Sequence, residues 1–433
     1  VASVNPPRGM RDFLPADKVR RERVLSVIRE RYRAHGFDEI ETPVMEEYGR
    51  LHAGIGGDNE KLAYNVLKRG LDADAVRAAA DDPAALTDLG LRYDLTVPLA
   101  RFYATNRGQL PNVFRSIQIA PVWRAERPQK GRYRQFMQCD IDIIGDASAR
   151  AEAELVVATL DTLDALGLEG GTVRINDRRA LDFMLDAFGF APGERPGVLI
   201  TIDKLDKIGH DGIVAELRER GATAAAVDAF EAFLRRPRTM EYNAYGERQI
   251  RKALPEGAPD DVVAHLVGIG EAVAAARDST SSAAEADIAL VFDPFLVRGM
   301  GYYTGTIFEL AHPDADYSLG GGGRYDGMIG RFLGQDVPAV GFSIGFERIV
   351  DLVPDRTDAA APAVVLVHDR DVPEAELLAL KAALVGEGSR VRLEQRSKNL
   401  KALLERAASD GYTAFATVAA GTARDALEIK PLA

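Results

Sequence analysis

Val24, Val27, Ile28 and Tyr32 recur at helical spacing and Gly36 follows them, which predicts an amphipathic helix over 17–35. The stretch 37–42 predicts a strand that stops at Pro43, because proline cannot donate to a sheet ladder. Residues 114–145 predict a long β-hairpin around a loop at 127–133. Strand side chains alternate, so Arg124 and Glu126 share one face of the first arm, and Arg134, Phe136, Gln138, Asp140 and Asp142 share one face of the second. Cys139, Ile141 and Ile143 point the other way, into a core. A polar face on a strand otherwise backed by core is the geometry of a pocket floor. From 177 to 287 the chain turns helical, alanine-rich and charged, with Gly-Pro punctuation at 192–197 and 255–259, and reads as an inserted helical domain. Strand patterns return at 288–292 and 302–310 and in the glycine run 320–323, so the main domain is expected to be discontinuous, 1–176 with 288–356. An alanine-rich linker at 357–362 leads to strands at 364–367, 391–394 and 414–418 separated by helical segments, a small α/β domain over 363–433.

The 433 residues, 46% apolar and 28% charged, suit a globular protein with more than one core. One cysteine, Cys139, excludes an internal disulfide framework and fits a reducing compartment. No apolar stretch is long enough to span a bilayer, and residues 1–12 lack the apolar centre of a signal peptide, so a cytoplasmic protein without a membrane partner is expected. The net charge of −12 argues against indiscriminate coating of nucleic acid. Against that background, 101–134 carries Arg101, Arg107, Arg115, Arg124, Arg127, Lys130, Arg132 and Arg134 and one acid, Glu126. That concentration suggests selective contact with a polyanion at one place.

Arg124 is the candidate phosphate ligand, since a strand-borne guanidinium offers two parallel hydrogen bonds that lysine cannot supply. The run 320–323 fits neither the dinucleotide fingerprint nor a Walker loop. The segment 123–136, with Arg124, Glu126 and then Arg127-Pro128-Gln129-Lys130-Gly131-Arg132-Tyr133-Arg134-Gln135-Phe136, resembles motif 2 of the class II aminoacyl-tRNA synthetases, in the form typical of histidyl-tRNA synthetases. Residues 8–15 resemble that family's amino terminus; the predicted helix, strand and Pro43 resemble motif 1; 339–348 resembles motif 3. Residues 91–98 resemble the amino-acid-binding turn, and 295–305 resembles a histidyl-specific peptide, with Met300 for the usual leucine and Gly301 for the usual aspartate. The residues 320–327 resemble the family segment that follows.

The resemblance implies an α+β catalytic domain built on an antiparallel class II sheet, with a helical insertion and a small carboxyl-terminal α/β domain like the anticodon-binding domain. It implies ATP and L-histidine as substrates, with Mg²⁺ bridging the pyrophosphate oxygens, tRNA(His) as acceptor, and a homodimer formed through motif 1. The apolar stripe of the helix 17–35 would also need a partner surface. By the same resemblance Arg124 and Arg298 flank the α-phosphate as the catalytic cations, and Glu126 and Arg348 complete the ATP site. Asp94, Leu95 and Thr96 hold the histidine ammonium end, Gln138, Asp142, Tyr302 and Tyr303 read and enclose the imidazole, and Gln129 and Arg134 meet the tRNA acceptor end. No protein metal ligand is expected. The residues alone leave Tyr302 and Tyr303 open to a second reading, as core and surface on alternate faces of a strand. Two other functions share the fold: a synthetase-like regulatory subunit that senses histidine, which should lack the ATP arginines, and a tRNA-sensing module without adenylate chemistry. The last domain resembles its family counterpart in 397–401 but ends at Ala433, earlier than the resemblance leads one to expect, so its final element is expected to be missing or shortened.

Overall fold

A computed structural model describes residues 4–52, 62–128, 131–236, 245–278, 289–299, 301–354 and 362–432. The chain divides into two compact units, one of residues 1–11 and 24–353, the other of 12–23 and 354–433. The first helix, Pro15–Ala34, crosses that division.

In the first unit the strands run β1 (Asp38–Glu39), β2 (Met45–Glu47), β3 (Tyr64–Leu67), β4 (Thr87–Leu91), β5 (Phe114–Trp123), β6 (Gln135–Ile144), β7 (Thr172–Asp177), β8 (Leu290–Phe292), β9 (Thr306–His312), β10 (Ala315–Arg324) and β11 (Ala339–Ile344). Among the described residues they build an eight-stranded sheet in the order β1-β5-β6-β11-β10-β9-β7-β8 and a three-stranded sheet β2-β4-β3. In the large sheet only the outer pairs, β1 with β5 and β7 with β8, are parallel; the central ladder is antiparallel, as the class II architecture requires.

The expected hairpin is β5–β6, paired residue for residue from Phe114 opposite Ile144 to Trp123 opposite Gln135. Its alternation holds: Cys139, Ile141 and Ile143 lie in the main core, while Gln138, Asp140 and Asp142 line the opposite face. The first arm ends at Trp123, so Arg124 and Glu126 stand just beyond the ladder rather than within it. The strand expected over 37–42 makes only two ladder residues, on the sheet's edge. The strand expected over 302–310 begins at Thr306, which leaves Tyr302 and Tyr303 in the preceding turn. Tyr302 is buried and Tyr303 half-buried, with both rings in the cleft lining, so the reading as alternate strand faces does not apply.

The apolar face of the first helix is filled from within the chain. Val24, Leu25, Ile28 and Tyr32 belong to the main core, with Phe37 and Ile117 beside them. The stripe therefore demands no second copy, and that argument for a dimer falls away. The segment 177–287 is helical in its described parts except where β7 ends at Asp177, but its helices serve two cores. Those from Arg178–Phe188 to Ala224–Leu234 make a separate apolar cluster with Phe295, Leu296 and Val297. The helices Glu247–Ala253 and Asp260–Asp278 pack into the main core instead. Residues 279–288, which hold the expected return to the main domain, and most of the expected linker 357–362 lie outside the described residues.

In the second unit β12 (Ala363–His368), β13 (Arg390–Gln395), β14 (Ala414–Val418) and β15 (Lys430–Pro431) form a sheet in the order β13-β12-β14-β15, parallel except for the last pair. Alternation along β12 sends Val364 and Leu366 to one face, against the helix Glu374–Gly386, and Val365 and Val367 to the other, against Leu400–Ser409. That is the α/β arrangement read from the strand and helix pattern.

Candidate active site

The polar face of β6 forms the floor of a cleft of about 630 Å³. Phe136, Gln138, Asp140 and Asp142 rise from it, and β11 lies alongside with Gly341 opposite Asp142 and Ser343 opposite Asp140. Beyond β11 the glycine run of β10 continues the floor as bare backbone. A Cβ at Gly321 would come within 2.8 Å of the Arg298 guanidinium, and one at Gly323 within 2.8 Å of the Tyr303 ring. These glycines leave room for side chains folded in from the loop before β9.

That loop is anchored from two sides. Phe295, Leu296 and Val297 sink into the helical cluster, and Asn176 on β7 donates to the Leu296 carbonyl at 3.1 Å. Arg298 emerges immediately afterwards and donates to Glu309 on β9 at 3.0 Å. Glu309 also accepts from Arg174 at 3.0 Å, so one carboxylate steadies two guanidiniums. Tyr302, Tyr303 and Tyr325 meet edge-on, with ring centroids 4.9 Å apart for Tyr302–Tyr303 and 6.2 Å for Tyr302–Tyr325.

The opposite wall comes from the turn after β4. Asp94 accepts from the Val97 N–H, in the first turn of the helix Thr96–Asn106, at 3.2 Å, and its second oxygen is buried with no hydrogen-bond partner among the described residues. Burial pushes the Asp94 carboxyl up to about 6, although the Val97 and Thr96 N–H groups and Arg124 pull it down. Asp142 is pushed up to about 7 by burial, against the hydrogen bond that it accepts from the Tyr325 hydroxyl at 2.6 Å. Asp140 is driven well above the carboxylate range by burial and by Asp142 beside it. Three buried carboxylates facing one cleft have a strong electrostatic demand for a cation.

The same cleft also holds guanidiniums. Arg124 is held by the Tyr93 carbonyl at 2.9 Å and lies over the Phe136 ring. Arg348, from the helix Phe346–Leu352, donates to the Ser318 carbonyl and sits near Tyr317. Burial, and then the nearby Arg132 charge, push its guanidinium down. Glu126 pairs weakly with Arg132 at 3.4 Å. Glu347, also in the lining, pairs with Arg11 and accepts from the Met137 N–H at 3.1 Å.

The cleft thus brings together Asp94, Thr96, Arg124, Glu126, Gln138, Asp142, Arg298, Tyr302, Tyr303 and Arg348. Leu95 is not in its lining: the side chain is fully buried, and its carbonyl accepts from Gln118 at 3.0 Å. Arg134 is not there either, because its guanidinium closes the hairpin on the Glu126 carbonyl at 3.0 Å. Gln129 lies outside the described residues. Two arginines of the basic segment are internal ion pairs, Arg101 with Glu46 and Arg115 with Glu154, while Arg124 and Arg132 of that segment line the cleft. Asp140, Ser343, Tyr325 and Glu309 escaped the residue-by-residue prediction. Asp140 was on the predicted polar face, but nothing local marks a serine, a tyrosine or a glutamate far along the chain as its neighbour. Among the described residues no group of three or more His, Cys, Asp or Glu side chains is arranged to hold a metal ion, and no helix is long and apolar enough to cross a membrane.

A family model described as histidyl-tRNA synthetase matches residues 9–349. A histidine–tRNA ligase of Leifsonia xyli subsp. xyli is 58% identical over 436 residues, covering 99% of this chain and 98% of the relative. One of Aeropyrum pernix is 39% identical over 354 residues, covering 80% and 73%. A histidyl-tRNA synthetase from Nostoc sp. PCC 7120 superimposes with a TM-score of 0.76 at 24% identity, over 100% of this chain and 95% of that one. A structure titled as an ATP phosphoribosyltransferase regulatory subunit/histidyl-tRNA synthetase from Bacillus halodurans gives 0.72 at 21% identity, over 97% and 99%. These last two speak for the fold alone.

Proposed function

The chain belongs to the histidyl-tRNA synthetase family and ligates histidine to transfer RNA, and we propose that the cleft over β6 is where it does so, with each residue acting as follows. The observation that carries the assignment is that one cavity is lined both by the buried carboxyls of Asp94, Asp140 and Asp142 and by the guanidiniums of Arg124, Arg298 and Arg348. An amino acid presents an ammonium to the first and ATP presents phosphates to the second, so the carboxylate and the α-phosphorus meet between them.

Asp94 takes the ammonium on its unpaired oxygen, with Thr96 beside it. Gln138 and Asp142 read the imidazole: a carboxylate accepts from one ring N–H, and a competitor of similar size that lacks that donor leaves buried polar groups unmatched. Tyr302 and Tyr303 enclose the ring. As the histidine carboxylate attacks the α-phosphorus, negative charge grows on the phosphoryl oxygens and the departing pyrophosphate. Arg124 and Arg298 stabilise the first and Arg348 the second, through cations already fixed in place. Glu309 keeps Arg298 extended over the glycine floor. Mg²⁺ enters as part of the substrate MgATP, bound by the nucleotide's phosphates. The terminal ribose hydroxyl of tRNA then attacks the adenylate carbonyl, forming the ester and releasing AMP.

Gln129 and Arg134 are the candidate contacts to the tRNA acceptor end, with Arg134 acting through the hairpin it closes. Leu95 serves the histidine site through the backbone that it anchors. The unit 363–433 is proposed to bind the anticodon arm, the catalytic chemistry being confined to 1–176 and 288–356 with the helices of 177–287 supporting the Arg298 loop. A homodimer and a cytoplasmic location are proposed on the family relationship. The sensing alternative would lack the ATP arginines, and all three are in the cleft. The test is aminoacylation: the protein should transfer labelled histidine to tRNA(His) in an ATP-dependent reaction, and a preparation that binds histidine but never charges tRNA would support the sensing reading instead.

A further inference from the structure

We propose that Asp140 sets which end of the Gln138 amide faces the cleft, making Gln138 an acceptor for an N–H of bound histidine; the inference rests on the assignment of the histidine site above. Gln138 Nε2 lies 3.4 and 3.3 Å from the two Asp140 carboxyl oxygens and 3.3 Å from Ser343 Oγ. Ser343 is directly opposite Asp140 in the β6–β11 ladder, so both anchors are fixed by the sheet. Gln138 is only 8% exposed, and its Oε1 is buried with no hydrogen-bond partner among the described residues.

The two ends of a glutamine amide have the same size and opposite hydrogen-bonding character. An ionised carboxylate chooses between them, because it can only accept and only the NH₂ end donates. With the NH₂ end taken by Asp140, the carbonyl oxygen is the end of the amide left for an N–H donor of the ligand. Without Asp140 the amide can turn, its carbonyl satisfied by the Ser343 hydroxyl, and it would then present donors to the donors of histidine. Asp140 is on this account a positioning residue that acts through Gln138 and need not touch the substrate.

The test is a set of Michaelis constants for histidine and ATP in pyrophosphate exchange, measured on wild type, Asp140→Ala, Asp140→Asn, Ser343→Ala, Gln138→Ala and the Asp140→Ala/Gln138→Ala double variant, each checked for folding by circular dichroism. Loss of one orienting hydrogen bond should raise the histidine constant about tenfold in Asp140→Ala and leave the ATP constant within about twofold. Asp140→Asn keeps an accepting oxygen and should remain within about threefold of wild type. In the Gln138→Ala background, Asp140→Ala should add nothing. Equal damage by Asn and Ala would mean that the Asp140 charge meets the ligand directly, and additive losses in the double variant would mean that it acts independently of Gln138; either overturns the proposal. Should Asp140→Ala fail to fold, Ser343→Ala carries the same cycle: a rise of a few-fold in the histidine constant only when Gln138 is present, with a rise independent of Gln138 overturning the proposal. Absence of histidine-dependent exchange in the wild type would instead remove the site assignment itself.

Discussion

Gly341→Ala adds one methyl group to the cleft and should remove most of its activity with histidine. Gly341 is paired on both sides, with Asp142 on β6 and Gly323 on β10, so the backbone at this position cannot withdraw without breaking two ladders. The new Cβ would overlap Asp142 Oδ1, stand 2.9 Å from its Cγ and lie 3.3 Å from the Tyr325 ring. Restoring ordinary van der Waals separation requires the carboxylate oxygen to retreat by roughly 1.5 Å. That breaks the 2.6 Å bond from the Tyr325 hydroxyl, which holds Asp142 in place. A misplacement of that size at a substrate-positioning group costs on the order of 10²-fold in rate, and overpacking costs about 1–3 kcal/mol in stability. The assay is pyrophosphate exchange at saturating ATP with histidine varied, on protein whose melting curve shows a folded sheet. kcat/KM for histidine should fall by about two orders of magnitude, with the Michaelis constant for ATP little changed. A folded variant within about threefold of wild type would mean that the position of Asp142 does not matter to histidine.

Arg298→Ala should fold normally and lose about 10²–10³ in adenylate formation, measured as single-turnover pyrophosphate release, because the lost charge acts chiefly in the transition state. Asp142→Asn should weaken histidine binding more than ATP binding by calorimetry; equal losses would indicate a structural role. The pH behaviour of the same variant follows from the raised carboxyls. An acid whose folded value lies near 7 rather than at its ordinary 3.8 binds more protons folded than unfolded between those limits, so its contribution to stability falls as pH rises through that window and stays low above it. Without ligand, Asp142→Asn should therefore gain melting temperature relative to wild type at pH 8 compared with pH 5, and a gap that does not change with pH would contradict the assignment. A chain ending at Pro354 retains every residue of the cleft lining and should keep histidine-dependent exchange while losing most tRNA charging; unchanged charging at the same salt would mean that the second unit does not bind the anticodon arm productively.

The hairpin and its two faces were legible because alternation over ten residues on each arm is a local signal, and the apolar face had no other place to go. The cleft residues that the resemblance named were legible for a different reason: they sit in contiguous peptides, 91–98, 123–142, 295–305 and 339–348. What could not be read was anything fixed by register between distant strands. Gly341 opposite Asp142 and Ser343 opposite Asp140 follow from the pairing of β6 with β11 across some two hundred residues of sequence, and no local pattern encodes that pairing. The turn at Tyr302 and Tyr303 defeated the strand prediction because an apolar and aromatic run looks the same whether it pairs in a ladder or folds over a floor of glycines. The helical stretch read as one body because helix periodicity reports which face is apolar and is silent on which core receives it. The stripe at Val24, Ile28 and Tyr32 was correctly apolar, and its partner turned out to be the chain's own sheet.

Formation of histidyl-adenylate in the cleft is tested most directly by ATP–pyrophosphate exchange on the full-length protein with each of the twenty amino acids offered singly. Exchange should be driven by histidine and by no other at comparable concentration, because only histidine offers both an ammonium to Asp94 and an imidazole N–H to Gln138 and Asp142. Exchange with a different amino acid, or none with histidine in a folded preparation supplied with magnesium and ATP, would contradict the account.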